Sequence, residues 1–92
     1  MIVSFRHKGL KLFFETGSLA GIQPIHAKRL REMLTALNVA RSPQDLMRPS
    51  WRLHGLTGDL QGFLTITVQT NWRLVFRFED GNVELLDYLD YH

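Results

Sequence analysis

Asp90, Tyr91 and His92 stand in a row as an acid, a phenol and an imidazole, three side chains that can each donate, accept or hold a proton. Upstream lie His54, in Trp51-Arg52-Leu53-His54, and Arg73, in Asn71-Trp72-Arg73. An acid–base set with a fixed cation is what phosphodiester cleavage needs. RNA carries its own nucleophile: a general base takes the 2′-OH proton and the oxygen attacks the adjacent phosphorus in line. A cation then stabilises the charge on the equatorial oxygens, and an acid protonates the departing 5′ oxygen. The products are a 2′,3′-cyclic phosphate and a 5′-hydroxyl, and no metal is required. Imidazole, with an unperturbed pKa near ~6.5, serves as acid or base at neutral pH. Arg73 offers a permanently charged fork matched to phosphate oxygens, and a preorganised donor of this kind is worth about 3–4 kcal/mol in the transition state. A carboxylate with a reference pKa near ~3.9 is a poor base toward a sugar hydroxyl. An orienting role therefore suits Asp90, with His54 or His92 handling protons, while Tyr91 can stack on a base or bond a phosphate.

Plainer readings exist for the same residues. A polar triplet at a chain end is commonly solvated. Arg73 and Arg77 can cover a sheet face or pair with Glu84 and Asp87 across strands. His54, Asp90 and His92 can be imagined around a metal, but no His-x-x-x-His spacing or carboxylate cluster supports it, so neither metal nor cofactor is expected.

These side chains must be positioned by something. Ile2 to Phe5 is a short strand candidate. Leu10, Phe13 and Phe14 recur at i, i+3, i+4, an amphipathic helix that Gly17 can stop, with Lys8 and Lys11 on its other face. The Arg6/His7/Lys8 cluster at its start opposes the helix dipole and gains nothing locally, which points to a ligand. Pro24 suits the first turn of a second helix, whose apolar face runs through Ile22, His26, Leu30, Met33, Leu34 and Leu37 to about Val39. His26 on that stripe reads as a buried or edge histidine without a catalytic role, and Lys28, Arg31 and Thr35 face solvent. A loop from Arg41 to Leu46 holds one short helical turn capped by Ser42.

The remainder is β. Ser50 to His54 alternates, with Trp51 and Leu53 inward and Arg52 and His54 outward. Gly58-Asp59 turns the chain, and Phe63 to Val68 sets Leu64, Ile66 and Val68 against Phe63, Thr65 and Thr67. After Gln69-Thr70-Asn71, residues Trp72, Leu74, Phe76 and Phe78 point one way and Arg73, Val75 and Arg77 the other. Asp80-Gly81 is a hairpin signal, and Val83 to Tyr88 is the last strand. Residues 1–92 thus read as one α+β domain, with two helices in the first half on one face of a small antiparallel sheet. Alternation sends Arg52, His54, Arg73 and Arg77 to the uncovered face, where the Asp90-Tyr91-His92 triplet is expected to join them.

Ninety-two residues allow one core. The absence of cysteine excludes disulfides, thiolate metal sites and thiol catalysis, and fits a reducing cytoplasm. Charges interrupt the first residues at once, so no signal peptide is expected, and no stretch is long enough to cross a membrane. The formal net charge is only +2, but it is lopsided. Arg6, Lys8, Lys11, Lys28, Arg29 and Arg31 face Glu15 alone between residues 6 and 31, whereas from Glu79 onward there are five acids and no Lys or Arg. Such a basic half suits either a polyanion partner or a solvated helix surface.

Leu53-His54-Gly55-Leu56-Thr57-Gly58-Asp59, Asn71-Trp72-Arg73-Leu74-Val75-Phe76-Arg77-Phe78 and Asp87-Tyr88-Leu89-Asp90-Tyr91-His92 resemble the HigB toxins of the RelE/ParE superfamily of bacterial toxin–antitoxin systems. The opening Ile2-Val3-Ser4-Phe5-Arg6-His7-Lys8-Gly9-Leu10 and the length agree, so the resemblance spans the chain. It implies a RelE-like fold and a ribosome-dependent endoribonuclease that cuts mRNA in the ribosomal A site and stops translation. It also implies neutralisation by a helix-turn-helix antitoxin of the HigA type, with operator DNA reached only through that antitoxin. By the same resemblance, catalytic roles fall to His54, Arg73, Asp90, Tyr91 and His92, and Lys8, Lys11, Lys28, Arg31 and Arg52 contact ribosome or RNA. Thr57 stands where well-studied members carry a lysine, and Gly55 replaces a common proline. Arg73, helped by Arg52, must then carry more of the transition-state charge, and a weaker toxin or altered codon preference is expected. The alternatives are a non-enzymatic gyrase poison of the ParE type and a weakly active member that mainly binds its antitoxin.

Overall fold

The computed structural model describes residues 1–91. The apolar stripes of the first half become helix α1 (Lys8–Thr16) and helix α2 (Ala27–Val39), the latter preceded by a 3-10 turn at Pro24–His26. Gly17 ends α1 with φ 81°, and its N–H bonds the Phe13 carbonyl as a left-handed cap does. Leu10 and Phe13 of α1, with Leu30, Met33, Leu34 and Leu37 of α2, are buried. Glycines let the loop between the helices lie on α1: a Cβ on Gly21 would stand 2.5 Å from the Gly9 Cα, so the loop backbone rests directly on that helix.

Four strands, β1 (His54–Gly55), β2 (Leu64–Gln69), β3 (Trp72–Glu79) and β4 (Asn82–Asp90), form an antiparallel sheet in the order β1-β2-β3-β4. Ile66, Val68, Leu74, Phe76, Val83 and Leu86 project into the helix-covered core, with Leu64, Trp72 and Phe78 partly buried beside them. This is the α+β architecture expected from the pattern. The hairpin between β3 and β4 turns at Asp80 (φ 53°) and Gly81 (φ 77°), the paired positive φ of a type I′ turn. Ser42 precedes a 3-10 turn at Pro43–Leu46, and Asp45 accepts the Arg41 and Ser42 backbone N–H groups.

Three local expectations are corrected. Ile2 to Phe5 pairs with β4 through two isolated parallel bridges, Ile2 with Val83 and Phe5 with Leu86. Leu85, at φ 55°, bulges between those bridges, and its N–H turns to the Ser4 hydroxyl, so no continuous ladder forms. Ser50 to His54 is not a strand. Pro49 opens a 3-10 turn over Pro49–Trp51, Arg52 follows with φ 51°, and pairing begins only at His54. Trp51 is buried as expected, but Arg52 sits at a backbone reversal and not on a sheet face. His7, in the cluster expected to gain nothing locally, caps α1, its Nδ1 accepting the Leu10 N–H at 2.9 Å.

Candidate active site

Sheet register decides which candidate residues meet. His54 lies opposite Thr65, Thr65 opposite Val75, and Arg73 is two residues along β3 from Val75. All four share the face turned from the helices, but that face is not uncovered as expected: Thr65 and Val75 are buried on it, and His54 and Arg73 reach solvent at its margins. Strand spacing and rise place the His54 and Arg73 Cα atoms about 12 Å apart, a gap that an imidazole and a guanidinium can bracket from either side of a phosphodiester.

His54 is exposed, and its Nδ1 lies 2.9 Å from the Arg52 carbonyl oxygen. A carbonyl only accepts, so Nδ1 carries a hydrogen, and in the neutral form of the ring Nε2 is the bare acceptor. That tautomer is the one a general base needs, and the left-handed Arg52 is what aims the carbonyl.

Arg73 is half-buried at the start of β3. Its Nη1 donates to the Thr70 carbonyl and, at 3.2 Å, to that of Trp72. One nitrogen thus anchors the guanidinium to the β2–β3 turn, while Nε and Nη2 bond no other described residue. Arg77, one repeat further along β3, is spent differently: its Nε contacts Glu84 at 2.5 Å, and its guanidinium lies 5.6 Å from the Phe63 ring.

Asp90 departs from the expected arrangement. It pairs with Trp72, an inward residue, whereas its neighbour Leu89 pairs with Arg73. The Asp90 side chain therefore takes the other side of the sheet, where it lines a pocket of about 360 Å³ with His26, Gln69, Asn71 and Trp72. The expectation that the whole triplet joins His54 and Arg73 on the uncovered face fails for Asp90, because the register sets it opposite an inward partner. Tyr91 continues the pairing, its N–H donating to the Asn71 carbonyl at 2.8 Å, and the pleat returns it toward Arg73. His92 lies outside the described residues.

Four residues that the sequence did not single out for the site, Gln23, His26, Gln69 and Tyr88, stand beneath it. His26 is buried, with Nδ1 2.6 Å from the Tyr88 hydroxyl and Nε2 2.8 Å from Gln69 Oε1. The Tyr88 hydroxyl also accepts the Gln23 N–H. Burial pushes the Tyr88 phenol above its usual pKa, the Gln23 N–H pulls it back, and the Asp90 charge pushes it up further. The Tyr88 ring is 4.6 Å from that of Trp72 and meets His7 edge-on at 5.3 Å. Only the apolar stripe that buries His26 signalled any of this. Arg29 is a further unforeseen support: its Nη2 donates to the Ser50 and Thr67 carbonyls, at 3.0 and 3.2 Å, pinning the turn before His54 onto β2.

The expected RNA-facing cations divide. Lys8, Lys11, Lys28 and Arg31 are exposed on the two helices, in the layer opposite His54 and Arg73, and Arg31 lies 5.5 Å from the Phe13 ring. Arg52 is exposed beside His54. Thr57 precedes a 3-10 turn at Gly58–Leu60 in the β1–β2 loop and brings no charge. Among the described residues no group of three or more His, Cys, Asp or Glu is placed to hold a metal ion, and no helix is long and apolar enough to cross a membrane.

Residues 3–92 match the family described as RelE-like toxin of type II toxin–antitoxin system HigB. Endoribonuclease HigB of Proteus vulgaris is 44% identical over 92 residues, all of both chains, and Toxin HigB-1 of Vibrio cholerae serotype O1 is 34% identical over 94 residues, all of this chain and 98% of that protein. Among solved structures, the YoeB–YefM complex from Staphylococcus aureus aligns with a TM-score of 0.64 at 17% identity, over all of this chain and 95% of that one. A point mutant of YafQ from E. coli aligns with a TM-score of 0.60 at 17% identity, over 96% of this chain and 89% of that one.

Proposed function

The chain belongs to the HigB-like toxins of type II toxin–antitoxin systems, and from that premise we propose that it is a metal-independent endoribonuclease that cuts mRNA in the ribosomal A site. His54 takes the 2′-OH proton through its bare Nε2. Arg73 holds the equatorial phosphate oxygens with Nε and Nη2, and the products are a 2′,3′-cyclic phosphate and a 5′-hydroxyl. The observation that carries the reading is the pairing of those two side chains on one sheet face, each held by backbone carbonyls in the form its role requires. The name of the Proteus vulgaris relative supports it. Tyr91 and His92 serve the leaving-group side, and Asp90 orients from beneath.

Neutralisation falls to a protein antitoxin, here proposed to be a helix-turn-helix protein of the HigA type that alone contacts operator DNA. The toxin works on ribosomes in the cytoplasm. Lys8, Lys11, Lys28, Arg31 and Arg52 supply long-range attraction to ribosomal RNA. Without a cation at Thr57 the rate is modest, and Thr57→Lys should raise it.

The test is mapping of mRNA 5′ ends with and without ribosomes, in the presence of a chelator. Wild-type protein should cut inside reading frames at codon-phased positions only when ribosomes are present. Arg73→Ala should lower kcat by roughly 10²–10³-fold. Full cleavage by Arg73→Ala would overturn the catalytic assignment, and DNA damage with intact mRNA would indicate a gyrase poison instead.

A further inference from the structure

The buried imidazole of His26 is hydrogen-bonded to Gln69 of β2 and Tyr88 of β4 and meets the Trp72 ring of β3 edge-on. Tyr88 Oη accepts the Gln23 N–H and shares a 2.6 Å hydrogen bond with His26 Nδ1. Gln69 Oε1 only accepts, so His26 Nε2 carries a hydrogen and donates it to that oxygen. Gln69 is the last residue of β2, and the next residue, Thr70, has φ 51° and gives its carbonyl to Arg73 Nη1. A continuous path therefore runs from His26 Nε2–H to the Gln69 amide, through one peptide unit to the Thr70 carbonyl, and on to the guanidinium. Gln69 itself is exposed, and its side chain gains this fixed rotamer from His26.

We propose that His26 is a positioning residue for Arg73, acting through Gln69 and the Thr70 carbonyl to hold the guanidinium where the transferring phosphate needs it. The proposal rests on the phosphate-holding role given to Arg73 above. Left-handed Thr70 is strained for a β-branched residue, and the Gln69 anchor is what keeps the turn in that conformation. Without the anchor the Thr70 carbonyl shifts, and Arg73 Nη1 follows it or loses it. Displacement of a catalytic group by about 1 Å can cost up to about 10²-fold in rate.

The ring nitrogens can be replaced one at a time. A glutamine amide reaches the place of Nε2, and an asparagine amide the place of Nδ1. In single-turnover cleavage of ribosome-bound mRNA, His26→Gln should keep its rate within about threefold of wild type, whereas His26→Asn should lose about 10- to 100-fold in kcat with little change in KM. Gln69→Leu, which leaves the His26–Tyr88 contact intact and changes an exposed side chain, should lose as much as His26→Asn. It carries the test if His26→Asn does not fold. In an Arg73→Ala background the Gln69→Leu loss should shrink to within about twofold, as expected for residues acting in one unit. The proposal is overturned if the losses follow melting temperature whichever nitrogen is replaced, or if the Gln69→Leu and Arg73→Ala losses multiply in full. Wild-type cleavage by Arg73→Ala alone would bring down the reading of Arg73 itself. Normal Arg73 dependence with no effect of Gln69→Leu would bring down only the role of His26.

Discussion

Gly21→Ala is the perturbation whose cost is set most directly by the packing. The new Cβ would lie 2.5 Å from the Gly9 Cα and 3.5 Å from its carbonyl carbon and nitrogen, whereas ordinary contact begins at 3.4 Å. The obstacle is backbone inside the first turns of α1, so no side chain can swing away, and the loop must lift by close to 1 Å. Overpacking typically costs about 1–3 kcal/mol, and an unyielding neighbour sets this case at about 3. For a domain of this size each kcal/mol lowers the melting temperature by about 4–8 °C, which gives a fall of more than roughly 10 °C by calorimetry or circular dichroism. The loop also carries Gln23, whose N–H bonds Tyr88, so cleavage should fall with stability. Gly17 is the control. It has φ +81° and no atom within 4 Å of a Cβ, so Gly17→Asn, which tolerates that backbone, should stay within about 1 kcal/mol. A Gly21→Ala protein that melts within two or three degrees of wild type, or no lower than Gly17→Asn, would refute the close-approach argument.

Other expectations concern the supports of the site. Tyr88→Phe leaves the Gln23 N–H and His26 Nδ1 without their partner and should cost about 1–3 kcal/mol in denaturant melts. Because the folded-state pKa of Tyr88 is raised, its contribution is present below the unfolded phenol value near ~10 and fades as pH climbs through the folded value. The alkaline decline in wild-type stability should therefore be shallower in Tyr88→Phe, and parallel declines would contradict this. Arg29→Met removes the two carbonyl contacts to Ser50 and Thr67 and should cost about 1–2 kcal/mol while loosening the approach to His54, seen as faster amide exchange at Trp51 to His54. Charge removal at Lys8, Lys11, Lys28 and Arg31 together should weaken ribosome binding and flatten its salt dependence, with the unfolding midpoint nearly unchanged. An unaltered salt slope would confine recognition to the sheet side.

Where one physical rule acted alone, the chain was readable. The α2 stripe, the alternation of β3 and the Asp80-Gly81 turn follow from period and φ preference within a few residues, and each formed where expected. The misses needed information from far along the chain. Arg52 sits at the end of a 3-10 turn that Pro49 opens and Arg29 of α2 holds down, so alternation through Ser50 to His54 was no evidence of a strand. Asp90 was misplaced because its side depends on pairing with Trp72, and that pairing follows a bulge at Leu85 that no local pattern announces. Nothing in the sequence singled out Gly9 or Gly21, since only their spatial meeting explains either. His7 was overlooked as a cap because imidazole is not among the usual N-cap side chains.

The corrected place of Asp90 changes the geometry that a substrate would meet. Trp72 pairs with Asp90 and Arg73 with Leu89, so Arg73, Asp90 and Tyr91 gather around the Thr70-Asn71 turn at one end of the sheet, with His54 two strands across. The candidate site is thus a rim, where a strand of RNA can touch residues from both sides of the sheet, and not a flat face. On the underside, burial and then the Asp90 charge raise the pKa of the Tyr88 phenol, which is protonated at neutral pH with or without that charge. Tyr88 is hydrogen-bonded to His26, His26 donates to Gln69, and the Gln69 turn supplies the carbonyl that holds Arg73. Asp90 therefore stands on the underside of the rim whose other side carries Arg73, next to the Tyr88–His26–Gln69 chain that leads to the Thr70 carbonyl. The orienting role proposed for Asp90 is thus one of charge and place beneath the rim, and the same proposal assigns proton transfer to the imidazoles.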